Sequence, residues 1–233
     1  MRKSAQIFIV IVLSLSMLGS SKAHMDGIFL YEFPKQSLLY DSLDLQSVKF
    51  AGELIILPEG EFDQKEAAMI INRVANLSDS LLKKAVDNNI RLKLFKGSLT
   101  DNPSVRHLKG VVPRGYTSKK TWDQVPGIGG AKLVLVKIGS SEKGNGHSSV
   151  NLELHELAHS LDRHVYGEIR NDDEFLRIWK LESRLLFPGQ SYFLNFPEEY
   201  FAESFAMYYI GGTHAKLLTE AAPQTYQFIK SLE

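Results

Sequence analysis

The stretch VNLELHELAHSLDRHVYG, residues 150–167, constrains the fold more than any other part of the chain. Val150, Leu152, Leu154, Leu157 and Leu161 mark an amphipathic helix over about 150–166, whose apolar side must be buried. On such a helix His155 and His159 are four residues apart and share a face. Two imidazoles at that spacing grip a divalent ion from one side, with Glu156 placed beside it. They do not complete a zinc site, so a third donor must come from another element. The chain therefore has to fold with a second, donor-bearing segment laid over this helix.

A third histidine on the same helix does not serve. The pattern in which glycine and a further histidine follow the second ligand has Asp162 and Val165 at those positions, which excludes the metzincin arrangement. His164 lies five residues beyond His159, is rotated off the face, and is expected at the surface or behind the ligands. The segment NFPEEYFAESFAMYY, residues 195–209, offers the better donor. Pro197 suits the first turn of a helix, and Glu199 and Glu203 share a face four residues apart. Glu198 points about 100° away from Glu199 and is disfavoured as a ligand. Spacing alone does not choose between Glu199 and Glu203: one would ligate, and the other would accept an N–H from a ligating histidine. Two His and one Glu leave a coordination position for water, the mark of a catalytic rather than a structural site.

Composition narrows the setting. Arg2 and Lys3, the apolar run from Ile7 to Gly19 and the small residues Ser21 and Ala23 before His24 read as a cleavable secretory signal over residues 1–23, too short to span a bilayer. Its removal leaves 210 of 233 residues and takes Arg2, Lys3 and Lys22, changing 27 Lys+Arg against 27 Asp+Glu into 24 against 27. That balance gives no reason to expect nucleic acid or an anionic membrane as partner. The chain has no cysteine, so thiolate ligands, thiol nucleophiles and disulfides are excluded and any metal must be held by His and carboxylate. A freely secreted protein without lipid or C-terminal anchor is the expectation.

Residues 24–51 show little pattern and are assigned an N-terminal arm. ELIILP (53–58) reads as a buried strand, and a helix over 62–77 capped by Asp63 presents Ala67, Ile70, Ile71 and Val74. A second helix follows, capped by Ser78 or Asp79. IRLKLF (90–95) alternates like a strand with one wet face. Residues 96–130 are loop-rich, KLVLVKI (132–138) is the strongest strand signal, and GSSEKGNGHSS reads as a flexible link. From Val150 onward the chain is helical, with helices at about 150–166, 173–186, 197–210, 213–220 and 223–232. The expected class is α+β: a small mixed sheet with helices over 52–145, an all-helical part over 146–233, and the metal cleft between them.

A site of this type hydrolyses amides. Glu156 would act as general base, and an oxyanion donor is needed opposite the metal. Tyr192, on the loop leading to the Glu199 helix, and His147, just before the histidine helix, are the candidates.

HELAH followed by YFLNFPEEYFAESFA resembles the catalytic domain of anthrax lethal factor, and more closely the secreted Pro-Pro endopeptidases of Gram-positive bacteria. ELIILPEGEFD, NRVANL, KGVVPRGY, KTWDQVPGIGG, GNGHSSVNLELHE and APQTYQFIKSL look like family segments in the family's order, over about residues 52–233. The resemblance implies a zincin-like fold holding one zinc ion. It makes His155, His159 and Glu199 the ligands, Glu156 the base, Tyr192 the oxyanion donor and Glu203 the residue behind the ligands. It places Lys120, Trp122 and Glu198 along the substrate groove, and implies cleavage between two prolines in proline-rich segments of bacterial surface or matrix proteins; a monomer is the separate expectation. A Trp suits that task, because a flat ring packs on proline rings in a preformed polyproline conformation. GIGGAKLVLVKIG departs from the family where flanking residues of the substrate would be read. A secreted peptidase of ordinary hydrophobic specificity, and a toxin-like or non-catalytic zinc-binding module, are the alternatives. Glu156 and Tyr192 speak against the last, since a pure binder needs no base.

Overall fold

In the computed structural model, which describes residues 26–44, 49–114 and 119–233, the apolar runs of the N-terminal half build a mixed sheet of five strands. Strands β1 (Ile28–Phe29), β2 (Ile55–Leu57), β3 (Arg91–Phe95), β4 (Gly127–Ile128) and β5 (Leu133–Lys137) lie in the order β1-β2-β3-β5-β4. β2, β3 and β5 are parallel, with Leu92 opposite Val134 and Leu94 opposite Val136; the short outer strands β1 and β4 run antiparallel to their neighbours. Parallel neighbours need a crossover. After the short helices α1 (Leu38–Asp41) and α2 (Ala51–Leu54), α3 (Gln64–Ala75) and α4 (Asp79–Asp87) supply it between β2 and β3. Asp63 caps α3 by accepting from the Lys65 and Glu66 amides, and Ser78 caps α4 through the Leu81 amide. The predicted stripe Ala67, Ile70, Ile71 and Val74 is buried.

Several local expectations are corrected. β3 has no wet face: Lys93 is only 7% exposed, and its ammonium lies 3.6 Å from Asp26 across the sheet. The strand expected over 53–58 is confined to 55–57, because residues 51–54 close into α2. The stretch read as an unpatterned arm contributes β1 and α1, buries Leu30 and Leu39 completely, and anchors α1 through the Leu39 amide on the Gln64 side chain. The loop-rich stretch contains β4. The signal segment expected over residues 1–23 lies outside the described residues, among which no helix is long and apolar enough to cross a membrane.

The second half comprises α5 (Leu152–His164), α6 (Asp173–Leu186), α7 (Ser191–Asn195), α8 (Pro197–Ile210), α9 (Gly212–Ala221) and α10 (Pro223–Lys230). α8 is apolar nearly all round and buries Tyr200, Phe201, Ala202, Phe205 and Ala206, so it forms the centre of this half. Its most extensive contact is with α5. A continuous apolar core runs from Ile55, Leu92 and Val136 of the sheet to Leu154, Leu157, Phe201 and Phe205 of the helices. Arg73 of α3 also reaches the fully buried Glu153 of α5 at 3.1 Å, fixing the histidine helix to the α/β part. A smaller cluster of Phe95, Leu99, Val125 and Leu135 carries the turn that holds Trp122.

Candidate active site

Asn151 starts α5 by accepting from the Leu154 amide, which sets the helical phase of the residues that follow. One turn apart, the Nε2 atoms of His155 and His159 stand 3.2 Å from each other. Pro197 opens α8 at its first turn, and two residues later Glu199 presents Oε2 at 3.3 Å from the His155 Nε2 and 3.4 Å from the His159 Nε2. Ions held at roughly 2.0–2.1 Å in tetrahedral geometry require donors roughly 3.3 Å apart. The donor triangle has that size, and its two imidazoles and one carboxylate are a hydrolytic metal set.

Of the two glutamates that spacing leaves open, Glu199 faces both Nε2 atoms and Glu203 lies behind His155. Glu203 is 2% exposed; Oε2 lies 3.0 Å from the His155 Nδ1 and Oε1 accepts from the Val150 amide at 2.9 Å. A carboxylate only accepts, so Nδ1 carries the hydrogen and the Nε2 lone pair is turned toward the triangle.

The electrostatics of the pocket call for positive charge at the triangle's centre. Burial raises the Glu199 pKa, but hydrogen bonds from His155 and His159 outweigh it and hold the carboxyl far below its usual range. Burial works to lower His155, yet bonds to Glu199 and Glu203 lift it to about 10 when the second ring nitrogen has only a proton to carry. Glu156, on the same helix, is raised by burial, with His155, His159 and the Gly129 amide pulling the other way.

The backbone after β4 lies directly on α5. A Cβ added at Gly129 would come 2.0 Å from the Glu156 carbonyl oxygen, so this approach requires glycine. The Gly130 amide donates to Ser160 at 3.0 Å, and the Ser160 hydroxyl donates to the Ala131 carbonyl. The rim of the cleft thus follows α5 turn by turn.

Together these parts line a cleft of about 670 Å³. Tyr192 lines it, on the short helix α7 rather than the expected loop, its ring edge-on to Phe193 and Phe196. His147 also lines it, but burial pushes its pKa down and its Nε2 lies 2.7 Å from the Ser140 carbonyl. A carbonyl only accepts, so Nε2 carries a hydrogen committed to Ser140, which favours Tyr192 over His147 as the oxyanion donor. His164, at the last turn of α5, is not among the lining residues. Trp122 lines the cleft from a 3₁₀ turn, Trp122–Gln124. Glu198 lines it too and pairs with Arg114 at 2.6 Å. Lys120 instead donates to the Gly146 carbonyl, outside the lining.

Sequence reasoning missed Asp123. Its carboxylate accepts from the Thr100 hydroxyl at 2.6 Å, the Gly110 amide at 2.7 Å and the Thr121 hydroxyl at 3.0 Å, so three separate segments converge behind Trp122. The Thr100 bond and then the Gly110 amide hold its pKa down at about 2. Its adjacency to a groove-facing tryptophan was the available signal.

Comparison with known proteins gives a consistent set of relatives. The family model described as anthrax toxin lethal factor, N- and C-terminal domain, matches residues 44–232. The chain is 41% identical over 208 residues to the Pro-Pro endopeptidase of Clostridioides difficile (strain 630), covering 88% of this chain and 94% of that protein. It is 38% identical over 188 residues to the Pro-Pro endopeptidase of Paenibacillus alvei, covering 80% and 86%. The solved structure of a Pro-Pro endopeptidase from Paenibacillus alvei superposes with a TM-score of 0.75 at 38% identity, over 79% of this chain and 100% of that one.

Proposed function

The chain belongs to the anthrax toxin lethal factor family, among its Pro-Pro endopeptidases, and from that premise we propose a zinc endopeptidase that hydrolyses the bond between two prolines in proline-rich extracellular proteins. The observation that carries the metal reading is the His155, His159 and Glu199 triangle at the floor of a peptide-sized cleft. Its donor set suits zinc, one ion per chain. When bound, the ion acidifies water toward a pKa of about 7 and polarises the scissile carbonyl.

The chain's own residues do the rest. Glu156, its pKa raised by burial, takes a proton from the attacking water and passes it to the departing proline nitrogen. The Tyr192 hydroxyl, on the cleft lining, donates to the developing oxyanion. Glu203 holds the His155 tautomer that leaves Nε2 to the ion. Trp122 offers a flat face to proline rings, Glu198 lines the groove with it, and Lys120 acts from outside the lining by holding the Gly146 carbonyl. Secretion as a monomer, directed by residues 1–23, completes the reading.

The test is a quenched peptide centred on Pro-Pro, with matched peptides in which either proline is replaced. Cleavage of the Pro-Pro peptide should stop with a chelator, return with zinc, and vanish in Glu156→Gln. Equal cleavage of the replaced peptides would leave a peptidase of general hydrophobic specificity. Cleavage that survives chelation would remove the metallopeptidase reading.

A further inference from the structure

Past His159 the cleft ends in two arginines for which the proposed reaction gives no task. Arg163 is one helical turn beyond His159 and two beyond His155, so its backbone lies about 6 and 12 Å from theirs along α5. It is exposed, lines the cleft and reaches across to the rim, its Nη1 3.5 Å from the Gly130 carbonyl. It forms no ion pair with the described residues. Arg170, from the segment after α5, lines the same end. It is held from behind by Asp162, a fully buried carboxylate that accepts from the Arg170 Nε at 2.9 Å, from Nη2, and from the backbone amide at 3.3 Å. Those bonds fix the plane of the guanidinium and leave Nη1 uncommitted.

The carboxylates that line the cleft have other partners: Glu199 faces the histidines, Glu198 pairs with Arg114, and Glu156 takes the Gly129 amide. The far end therefore carries one cation unpaired among the described residues, Arg163, beside the uncommitted Nη1 of an Arg170 whose charge Asp162 balances from behind, whereas the end near Trp122 is aromatic. An extended peptide rises about 3.3 Å per residue, so this end meets side chains two to four residues from the scissile bond.

Resting on the peptidase reading of the cleft, we propose that Arg163 and Arg170 form a subsite for an acidic side chain on one flank of the Pro-Pro bond. Arg170 supplies a preset fork and Arg163 a mobile second donor that swings from the Gly130 carbonyl. The ligand is an Asp or Glu carboxylate within the chain being cut.

End-capped Pro-Pro peptides carrying Asp, Asn or Lys at each of the positions two to four residues from the bond, on either side, test this with the zinc-loaded protein. On one side only, Asp should exceed Asn in kcat/KM by roughly fivefold and Lys should fall below Asn, the gap closing in concentrated salt. Arg163→Glu should invert the order of Asp and Lys at that position, a gain that misfolding does not produce. Asp162→Asn with Arg170→Gln, which leaves no buried unpaired charge, should flatten the preference. The same peptides are titrated by fluorescence anisotropy onto Glu156→Gln. Flank-dependent binding without cleavage by the parent protein would sink the peptidase reading and keep the subsite. Equal response on both flanks, or an Asp preference untouched by Arg163→Glu, overturns the subsite and leaves the peptidase.

Discussion

Replacing Glu203 by Gln is the sharpest probe of how the site is held, because the two side chains have the same shape and differ by one acceptor. Each carboxylate oxygen now has one buried partner, Oε1 the Val150 amide and Oε2 the His155 Nδ1 hydrogen. A glutamine has one acceptor and one donor face, so it meets one of the two demands. If its oxygen keeps Val150, its NH₂ faces Nδ1, the imidazole must move its hydrogen to Nε2, and the ligand lone pair is lost. If its oxygen keeps His155, a donor faces the Val150 amide and a buried N–H loses its partner, at about 1–3 kcal/mol. Both routes weaken the site. Metal affinity should fall about 10–100-fold, or about 1.4–2.8 kcal/mol, and unfolding of the metal-free protein should come at lower denaturant. Competition against a chromogenic chelator reads the first, and denaturant titration of chelator-treated protein reads the second. A variant that binds metal as tightly as the parent and unfolds at the same midpoint would show that Glu203 orients nothing.

Metal uptake should release about one proton per ion near pH 7.5, because a His155 lifted to about 10 holds in the metal-free protein the proton that the ion must displace. Affinity should therefore rise with pH and weaken as pH falls; calorimetry in two buffers of different ionisation enthalpy measures the release, and no buffer dependence contradicts it. Gly129→Ala forces a Cβ to 2.0 Å from a backbone oxygen of α5, so either the rim or Glu156 must shift. Stability should drop by about 1–3 kcal/mol with a loss of kcat/KM, and a fully active variant of parental stability would show that the rim yields freely. Asp123→Asn leaves one acceptor for three donors and should loosen the Trp122 turn, raising KM for Pro-Pro peptides roughly three- to tenfold with little change in kcat. A fall in kcat alone would place Asp123 in the chemistry instead.

What could be read in the chain and what could not divide along a physical line. α3 and α5 repeat an apolar contact every three or four residues, and Asp63 and Pro197 mark the starts of α3 and α8, so periodicity or end chemistry finds each of the three without tertiary context. The His155 and His159 pair is visible for the same reason. The choice between Glu199 and Glu203 is open to spacing and is made only by the family resemblance, since one helical turn separates them on one face and the offset of α8 along α5 decides which meets the Nε2 atoms. β1 and β4 span two residues each, too few for any alternation, and α7 is a single turn and a half whose only distinction is that it carries Tyr192. Lys93 misled because its partner Asp26 joins it through the fold and not through the chain.

The rim is the deepest case. Gly-Ile-Gly-Gly reads as loop because glycine breaks every strand pattern, yet those glycines admit the backbone to the surface of α5. A side chain at 129 would restore a legible pattern and at the same time push the rim off the helix that bears Glu156. Where a backbone rather than a side chain makes the contact, the residues that permit it are the ones with least to show in a sequence. The cleft is therefore most easily read at its histidines and least easily at the glycine edge laid along them.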